Sequence, residues 1–239
     1  MPNSSPGVPL EARSQGRGRP GGDESRARLL ATAGELFAER GYNGVSTREL
    51  AKAADVNVSA IAYYFRGKKG LYRAVFKQLI EDTNPFFLPT ADHIRQGVID
   101  AGSDKQKLAS LTRWLIQTLL EGVLSEDTMR WQMGLMLREY HQPTDGFSIL
   151  MENRVNPMHD AVAGLVAAAT DREPEASETV LLTCCLIGQC MAFGAARGLV
   201  LARLGWNSFE AGDLPQVVDT VTGVALAMLG LLEESADVA

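Results

Sequence analysis

Gly41-Tyr42-Asn43-Gly44-Val45-Ser46-Thr47-Arg48-Glu49-Leu50-Ala51 is followed by Asp55-Val56-Asn57-Val58-Ser59 and then by Tyr63-Tyr64-Phe65-Arg66-Gly67-Lys68-Lys69-Gly70-Leu71-Tyr72. Ser46 with Glu49 three residues on is a capping box, in which the serine oxygen accepts from the glutamate N–H and the glutamate accepts from the serine N–H. The box starts a helix at Thr47 that runs to about Ala54 and buries Leu50, Ala51 and Ala54. Asp55-Val56-Asn57 makes a short turn, and Asn57 is a good N-cap for a third helix from Val58 to about Phe65, with Ile61 and Phe65 on its buried side. Arg66-Gly67 breaks that helix, and a fourth starts near Lys68 and runs to about residue 84. Upstream, Leu29, Ala33, Leu36, Phe37 and Arg40 recur at helical spacing from Asp23 onward, and Gly41 can end that helix in the left-handed conformation. Two short helices joined by a three-residue turn form the helix-turn-helix pattern.

The charge distribution around this segment agrees with it. The 239 residues carry 23 Lys/Arg and 29 Asp/Glu, a formal net charge of −6 that argues against a nucleic-acid partner. Counted by region, residues 1–80 hold 13 Lys/Arg against 7 Asp/Glu, or +6, and residues 81–239 hold 10 against 22, or −12. A basic first third joined to an acidic remainder points to a phosphate-binding module fused to a part that avoids phosphates. Length and a 46% hydrophobic content suit one large domain or two small ones with a packed core, and exclude a collagen-like, largely disordered or disulfide-framed chain. Residues 1–22, rich in Pro, Gly, Ser and Arg, are expected to form a disordered basic arm. Its Arg13, Arg17 and Arg19 either add phosphate or minor-groove contacts or are simply solvated.

Beyond residue 84 the chain reads as all helical, with candidate helices over Ala91–Ala101, Lys105–Leu124, Glu126–His141, Gly146–Ala169, Glu175–Leu204 and Leu214–Leu232. Breaks are expected at Pro85 and Pro89, at Ser125, at Pro143, from Arg172 to Pro174 and from Trp206 to Asp213, with Pro157 splitting or kinking its segment. No strand-like alternation persists and no internal repeat occurs. Cys184, Cys185 and Cys190 lie in one apolar run without metal-ligand partners nearby, and read as small reduced core residues of a cytosolic protein. The run from Val180 to Val200 has the length of a membrane span, but Thr183, Gln189 and Arg197 and its Gly/Ala content favour a buried helix of a soluble protein. The start of the chain has no apolar stretch of signal-peptide length, so the expected location is cytoplasmic.

The motif over roughly residues 26–73 closely resembles the TetR family of bacterial regulators, and its Tyr63-Tyr64-Phe65, Lys68 and Leu71 spacing is the most specific part. The resemblance implies an all-α fold. A helix-turn-helix three-helix domain over 23–72 is followed by a helical bundle over 73–239 for dimerisation and ligand binding. A recognition helix this short presents one face to the major groove, and its first turn reaches the base edges. That turn is Val58-Ser59-Ala60, with Ala62 next along; the small side chains let the backbone approach the groove floor. Ser59 can hydrogen-bond to several bases, and Val58 or Ala60 can touch a thymine methyl. Arg48, in the first turn of the preceding helix, is the strongest candidate for a bidentate guanine contact, and the resemblance agrees. Thr47, Tyr63 and Tyr64 are neutral phosphate donors, with at least one tyrosine hydroxyl expected to face DNA, and Lys68 adds charge where free helix N–H groups attract a phosphate.

A single helix-turn-helix binds weakly, so a homodimer on a palindromic operator of double-stranded DNA is expected. Gly188, Ala192, Ala195 and Leu199 form a stripe of small residues, and Val217, Val221, Val224, Leu226, Met228 and Leu229 crowd the last helix. By resemblance these two segments pair across a two-fold axis. The middle helices are expected to enclose a small-molecule effector, with Trp114, Trp131, Met133 and Phe147 as adaptable apolar lining and Arg138 and His141 as polar groups. Leu137-Arg138-Glu139-Tyr140-His141-Gln142-Pro143-Thr144 resembles the subgroup linked to cephalosporin and chloramphenicol sensitivity. No Gly-rich phosphate loop, metal-spaced His/Cys/Asp set or nucleophile elbow occurs, so no enzyme, cofactor or metal is expected. A helical protein-binding adaptor is the alternative reading, and the basic first 80 residues argue against it.

Overall fold

The computed structural model describes residues 20–124, 130–210 and 212–232, and the regular elements among them are all helical. Most of the expected arm and the 126–129 start of one expected helix lie outside the described residues. Helix α1 spans Pro20–Arg40, entering three residues of the expected arm, and Gly41 ends it at φ +74°. The capping box forms: the Glu49 N–H donates to Ser46 Oγ at 3.2 Å and the Ser46 N–H to Glu49 Oε2 at 2.8 Å, starting α2 over Thr47–Ala53. Asn57 Oδ1 accepts from the Ser59 N–H at 2.9 Å at the start of α3, Ser59–Phe65. Arg66 at φ +60° and Gly67 at φ +110° then turn the chain sharply into α4. Leu29, Phe37, Leu50, Ile61 and Leu71 close a core between these four helices.

Helix α4 runs from Lys68 to Ala101 without the break expected at Pro85 and Pro89. Both prolines are exposed, so the carbonyls they leave unpaired four residues back need no protein partner. The opposite face, with Thr83, Thr90, Ala91 and Ile94, is buried and keeps the helix continuous through the interruption. Helix α5 spans Lys105–Leu124 as its periodicity predicts, and α6 spans Arg130–His141.

The expected kink at Pro157 takes a different form. Helix α7, Asp145–Leu150, passes through a π turn at Met151–Val155 directly into α8, Asn156–Thr170. The proline cannot donate to the carbonyl of Asn153, and the widened turn just before it accommodates that loss. The π turn also solves a phase problem. Gly146, Leu150, Arg154, Met158 and Val162 are all buried at intervals of four, a series that drifts by about 40° per step around an α-helix. The wider turn resets that drift.

Glu175–Leu204 is two helices, α9 over Ser177–Ala195 and α10 over Arg197–Leu204. At the step between them Gly194 lies against Val123 of α5, where a Cβ would stand 2.6 Å from Cγ1. Helix α11 spans Leu214–Leu229, ended by Gly230 at φ +66°. A second core joins the far half of α4 with α5, α8, α9 and α11 through Ile94, Ile116, Leu120, Leu165 and Leu186.

Two expectations for α9 need correction. Cys184 and Cys185 are exposed; only Cys190 is a core residue, and burial pushes its thiol up to about 12. The helix is long and apolar enough to cross a membrane, with mean hydropathy 1.5, yet only 22% of that stretch is buried within the chain. One face of α9 packs on α5 and α8, and the other has no partner among the described residues.

Candidate nucleic-acid interface and the helix behind it

The turn between α2 and α3 brings the expected DNA contacts to the surface. Arg48, Val58, Ser59, Ala62 and Tyr63 are exposed, Tyr63 by 80% and Val58 by 47%, while Thr47, Ala60, Tyr64 and Lys68 are half-buried. The two tyrosines divide the roles the sequence offers. Tyr63 projects into solvent, and the Tyr64 ring packs edge-on to it at 4.8 Å and against the core. The Ser59 hydroxyl donates to Asn57 Oδ1 at 2.8 Å, so its proton is engaged locally and its lone pairs stay free to accept. Lys68 stands 4.4 Å from the Tyr42 ring centroid. Partial burial lowers its pKa, and the nearby Glu49 carboxylate opposes that. Glu49 itself is held below the usual carboxylate range, chiefly by the Ser46 hydrogen bonds of the cap.

Helix α6 lies directly behind this domain. Trp131 packs onto Gly34 of α1, where a Cβ would meet the indole at 2.7 Å. Met133 is buried in the core shared with α1 and α4. Arg138 donates to the α1 carbonyls of Ala38 at 3.3 Å and Glu39 at 3.0 Å, satisfying groups that a helix C-terminus leaves unpaired. Glu139 is fully buried and accepts from the Tyr72 hydroxyl at 2.5 Å, the Thr144 hydroxyl at 2.6 Å and the Thr144 N–H at 2.8 Å. These bonds lock α6 and the following turn onto α4. Lys69 of α4 pairs with Asp145 at 3.0 Å beside a cleft of about 250 Å³ lined by Tyr42, Tyr72 and Thr144.

The six residues expected to hold an effector are therefore dispersed. Trp131, Met133 and Arg138 face the DNA-binding module. His141 is exposed, its Nδ1 2.7 Å from the Leu137 carbonyl, and Phe147 is half-buried on α7. Trp114 packs in the second core, with its ring 4.0 Å from that of His93. Sequence reasoning passed over Arg154, which is 7% exposed in the π turn. The available signal was an arginine within the buried series Leu150, Arg154, Met158, where every other position is apolar.

A basic helix-turn-helix mounted on a separate helical core defines a DNA-binding transcriptional regulator. Residues 29–75 match the family model of the bacterial regulatory proteins of the TetR family. Residues 109–231, just over half the chain, match the C-terminal domain of the HTH-type transcriptional dual regulator CecR. The chain belongs to the TetR family, and it is a regulator rather than an enzyme. It is 28% identical to CecR of Shigella flexneri over 215 residues, covering 90% of this chain and 96% of that one. It is 31% identical to the probable regulator YttP of Bacillus subtilis over 121 residues, which is 44% of this chain and 58% of that protein. Among solved structures, AibR in complex with isovaleryl coenzyme A and operator DNA superposes with a TM-score of 0.59 at 15% identity, covering 84% of this chain and 97% of that one. SCO4454 of Streptomyces coelicolor gives 0.53 at 22% identity, covering 89% and 97%.

Proposed function

We propose that the chain is a cytoplasmic repressor that binds a palindromic operator as a homodimer and is released by a small-molecule effector held in its C-terminal helices. The observation that carries this reading is the exposed face of α2 and α3, flanked by Arg48 on α2 and Lys68 at the start of α4. Arg48, Val58, Ser59, Ala60 and Ala62 are its base-reading residues, and Thr47, Tyr63, Tyr64 and Lys68 hold the phosphates. A gel shift against DNA upstream of its own gene tests the binding. In anisotropy titrations Lys68→Ala is expected to weaken binding to all sequences and to lower the salt slope by about one ion. Arg48→Ala is expected instead to relax preference at one base pair, at about 1–3 kcal/mol. Equal salt slopes for wild type and both variants would refute the division of roles.

The unpartnered face of α9 and α10 supports the dimer. Leu181, Cys184, Cys185, Gly188, Ala192, Ala195 and Leu199 are exposed at helical spacing, and on α11 Gly223, Val224 and Ala227 are exposed as well. Added Cβ atoms at Gly188 and Gly223 would meet nothing, leaving room for a partner helix to approach closely. Val224→Glu is expected to give a monomer by sedimentation at micromolar concentration, with weaker operator binding. A wild-type monomer would count against the interface.

Effector release is a population shift towards a dimer geometry whose recognition helices no longer match successive major grooves. Coupling of about 1–3 kcal/mol is enough for a 5- to 150-fold loss of affinity. Trp114 remains a candidate wall of the effector site. Trp131, Met133 and Arg138 transmit its state to α1, with Phe147 and His141 at the margins of the same link.

A further inference from the structure

We propose that Arg154 is the anion-recognising residue of the effector site, and that the effector is an organic monocarboxylate with an apolar body. This deepens the ligand-responsive reading above and rests on it. Arg154 is more than nine-tenths buried, yet no carboxylate among the described residues pairs with it. Its recorded hydrogen bond goes from Nη1 to the neutral Thr83 hydroxyl, and its guanidinium carbon stands 3.0 Å from the Phe87 ring centroid. A guanidinium has five N–H donors, and buried charges in proteins are paired. This one is held ready by a π turn, an element frequent at functional sites. Burial pulls the Arg154 pKa down to about 9, so the group is still charged at neutral pH. Tyr140 of α6 is the titratable neighbour that opposes this shift; its own phenol is raised by desolvation although the residue as a whole is 41% exposed.

Charge balance narrows the ligand. One guanidinium neutralises one negative charge, and its planar fork matches a carboxylate in two parallel hydrogen bonds. A phosphate dianion would bring a second charge into the same apolar surroundings, where desolvation outweighs what one cation returns. Phe87, packed against the second core, offers an apolar wall next to the charge. The site is also connected to the DNA-binding module. Tyr140 beside Arg154, Glu139 on Tyr72 and Arg138 on the end of α1 are consecutive residues of α6.

Octanoate and benzoate serve as probes, with octanamide and benzamide as neutral controls of the same shape. The acids are expected to raise the melting temperature of the wild type and to weaken its binding to the operator fragment, and the amides to do neither. Arg154→Met keeps the side-chain bulk on Phe87. It is expected to bind DNA and melt at or above wild type, while losing about ten- to a hundredfold in affinity for the acids. Arg154→Lys, which keeps the charge but not the fork, should lose severalfold and covers the case in which the methionine variant fails to fold. Equal responses to acids and amides, no response to the acids, or an Arg154→Lys variant with unchanged acid affinity would each overturn the proposal. Failure of the wild type to bind any operator fragment would overturn the regulatory reading instead, and the melting experiment would still read the anion site.

Discussion

A Gly70→Ala variant is expected to melt well below the wild type and to lose specific DNA binding. Gly70 is the third residue of α4, and a Cβ there would lie 1.7 Å from the carbonyl oxygen of Phe65 and 2.9 Å from its carbon. The obstacle is backbone, so no rotamer change relieves it. The turn that brings Phe65 so close is fixed by the positive φ of Arg66 and Gly67, and it sets the angle between the recognition helix and α4. Helix propensity alone favours alanine over glycine by about 1 kcal/mol, so the two effects have opposite signs. Forced overpacking of this kind costs about 3 kcal/mol, which dominates. The net cost is about 2 kcal/mol, and at about 2–4 °C per kcal/mol for a chain of this size the drop is about 4–8 °C by calorimetry. A variant that melts higher than wild type would show that propensity wins and that the turn adjusts freely.

Removing the buried carboxylate of Glu139 should have an effect of similar size. Alanine there leaves the Tyr72 hydroxyl and both donors of Thr144 without an acceptor. Stranding the buried Tyr72 hydroxyl costs about 1–3 kcal/mol, and water replaces most of what the exposed Thr144 loses, so about 2–3 kcal/mol is expected in urea unfolding. Tyr72→Phe should cost about 1.5–3 kcal/mol, and the double variant should fall short of the sum because the residues share one hydrogen bond. The tyrosine also carries a pH signature. Burial first, and then the Glu139 hydrogen bond, raises its pKa well above the usual 10.0. Its neutral form is the one the fold favours, so its contribution is complete below pH 10 and is lost as pH climbs towards the folded-state value. Wild type should therefore show a steeper alkaline decline in stability than Tyr72→Phe, which keeps only the shares of Cys190 and Tyr140. Identical alkaline limbs in the two proteins would remove Tyr72 from the account.

The DNA-binding module was legible because its signals are local. A capping box, an asparagine cap and a glycine stop each act within four residues, and each forms where the spacing places it. Features that depend on which face a residue takes were less legible. Pro85 and Pro89 read as helix breakers, but both fall on the solvent face of α4, where a missing N–H has no consequence for packing. Cys184 and Cys185 read as core because their run is apolar, but they lie on the exposed side of α9. Trp131 and Arg138 carry the composition of a ligand pocket. Their actual neighbours, Gly34 and the last carbonyls of α1, are about a hundred residues away in sequence. Arg154 escaped notice because its burial follows from a π turn that no periodicity announces.

The length of α4 gives small rotations a long reach. Its 34 residues span about 51 Å, so a tilt of about 5° about one end moves the other by about 4 Å, a third of the width of a major groove. In the proposed dimer the displacements of the two subunits would add across the two-fold axis. Arg154 contacts this lever at Thr83 and Phe87, on either side of Pro85, where the helix has lost a rung of its hydrogen-bond ladder. The charge that a ligand would neutralise thus rests on a turn weakened by proline in the helix that carries the recognition helix.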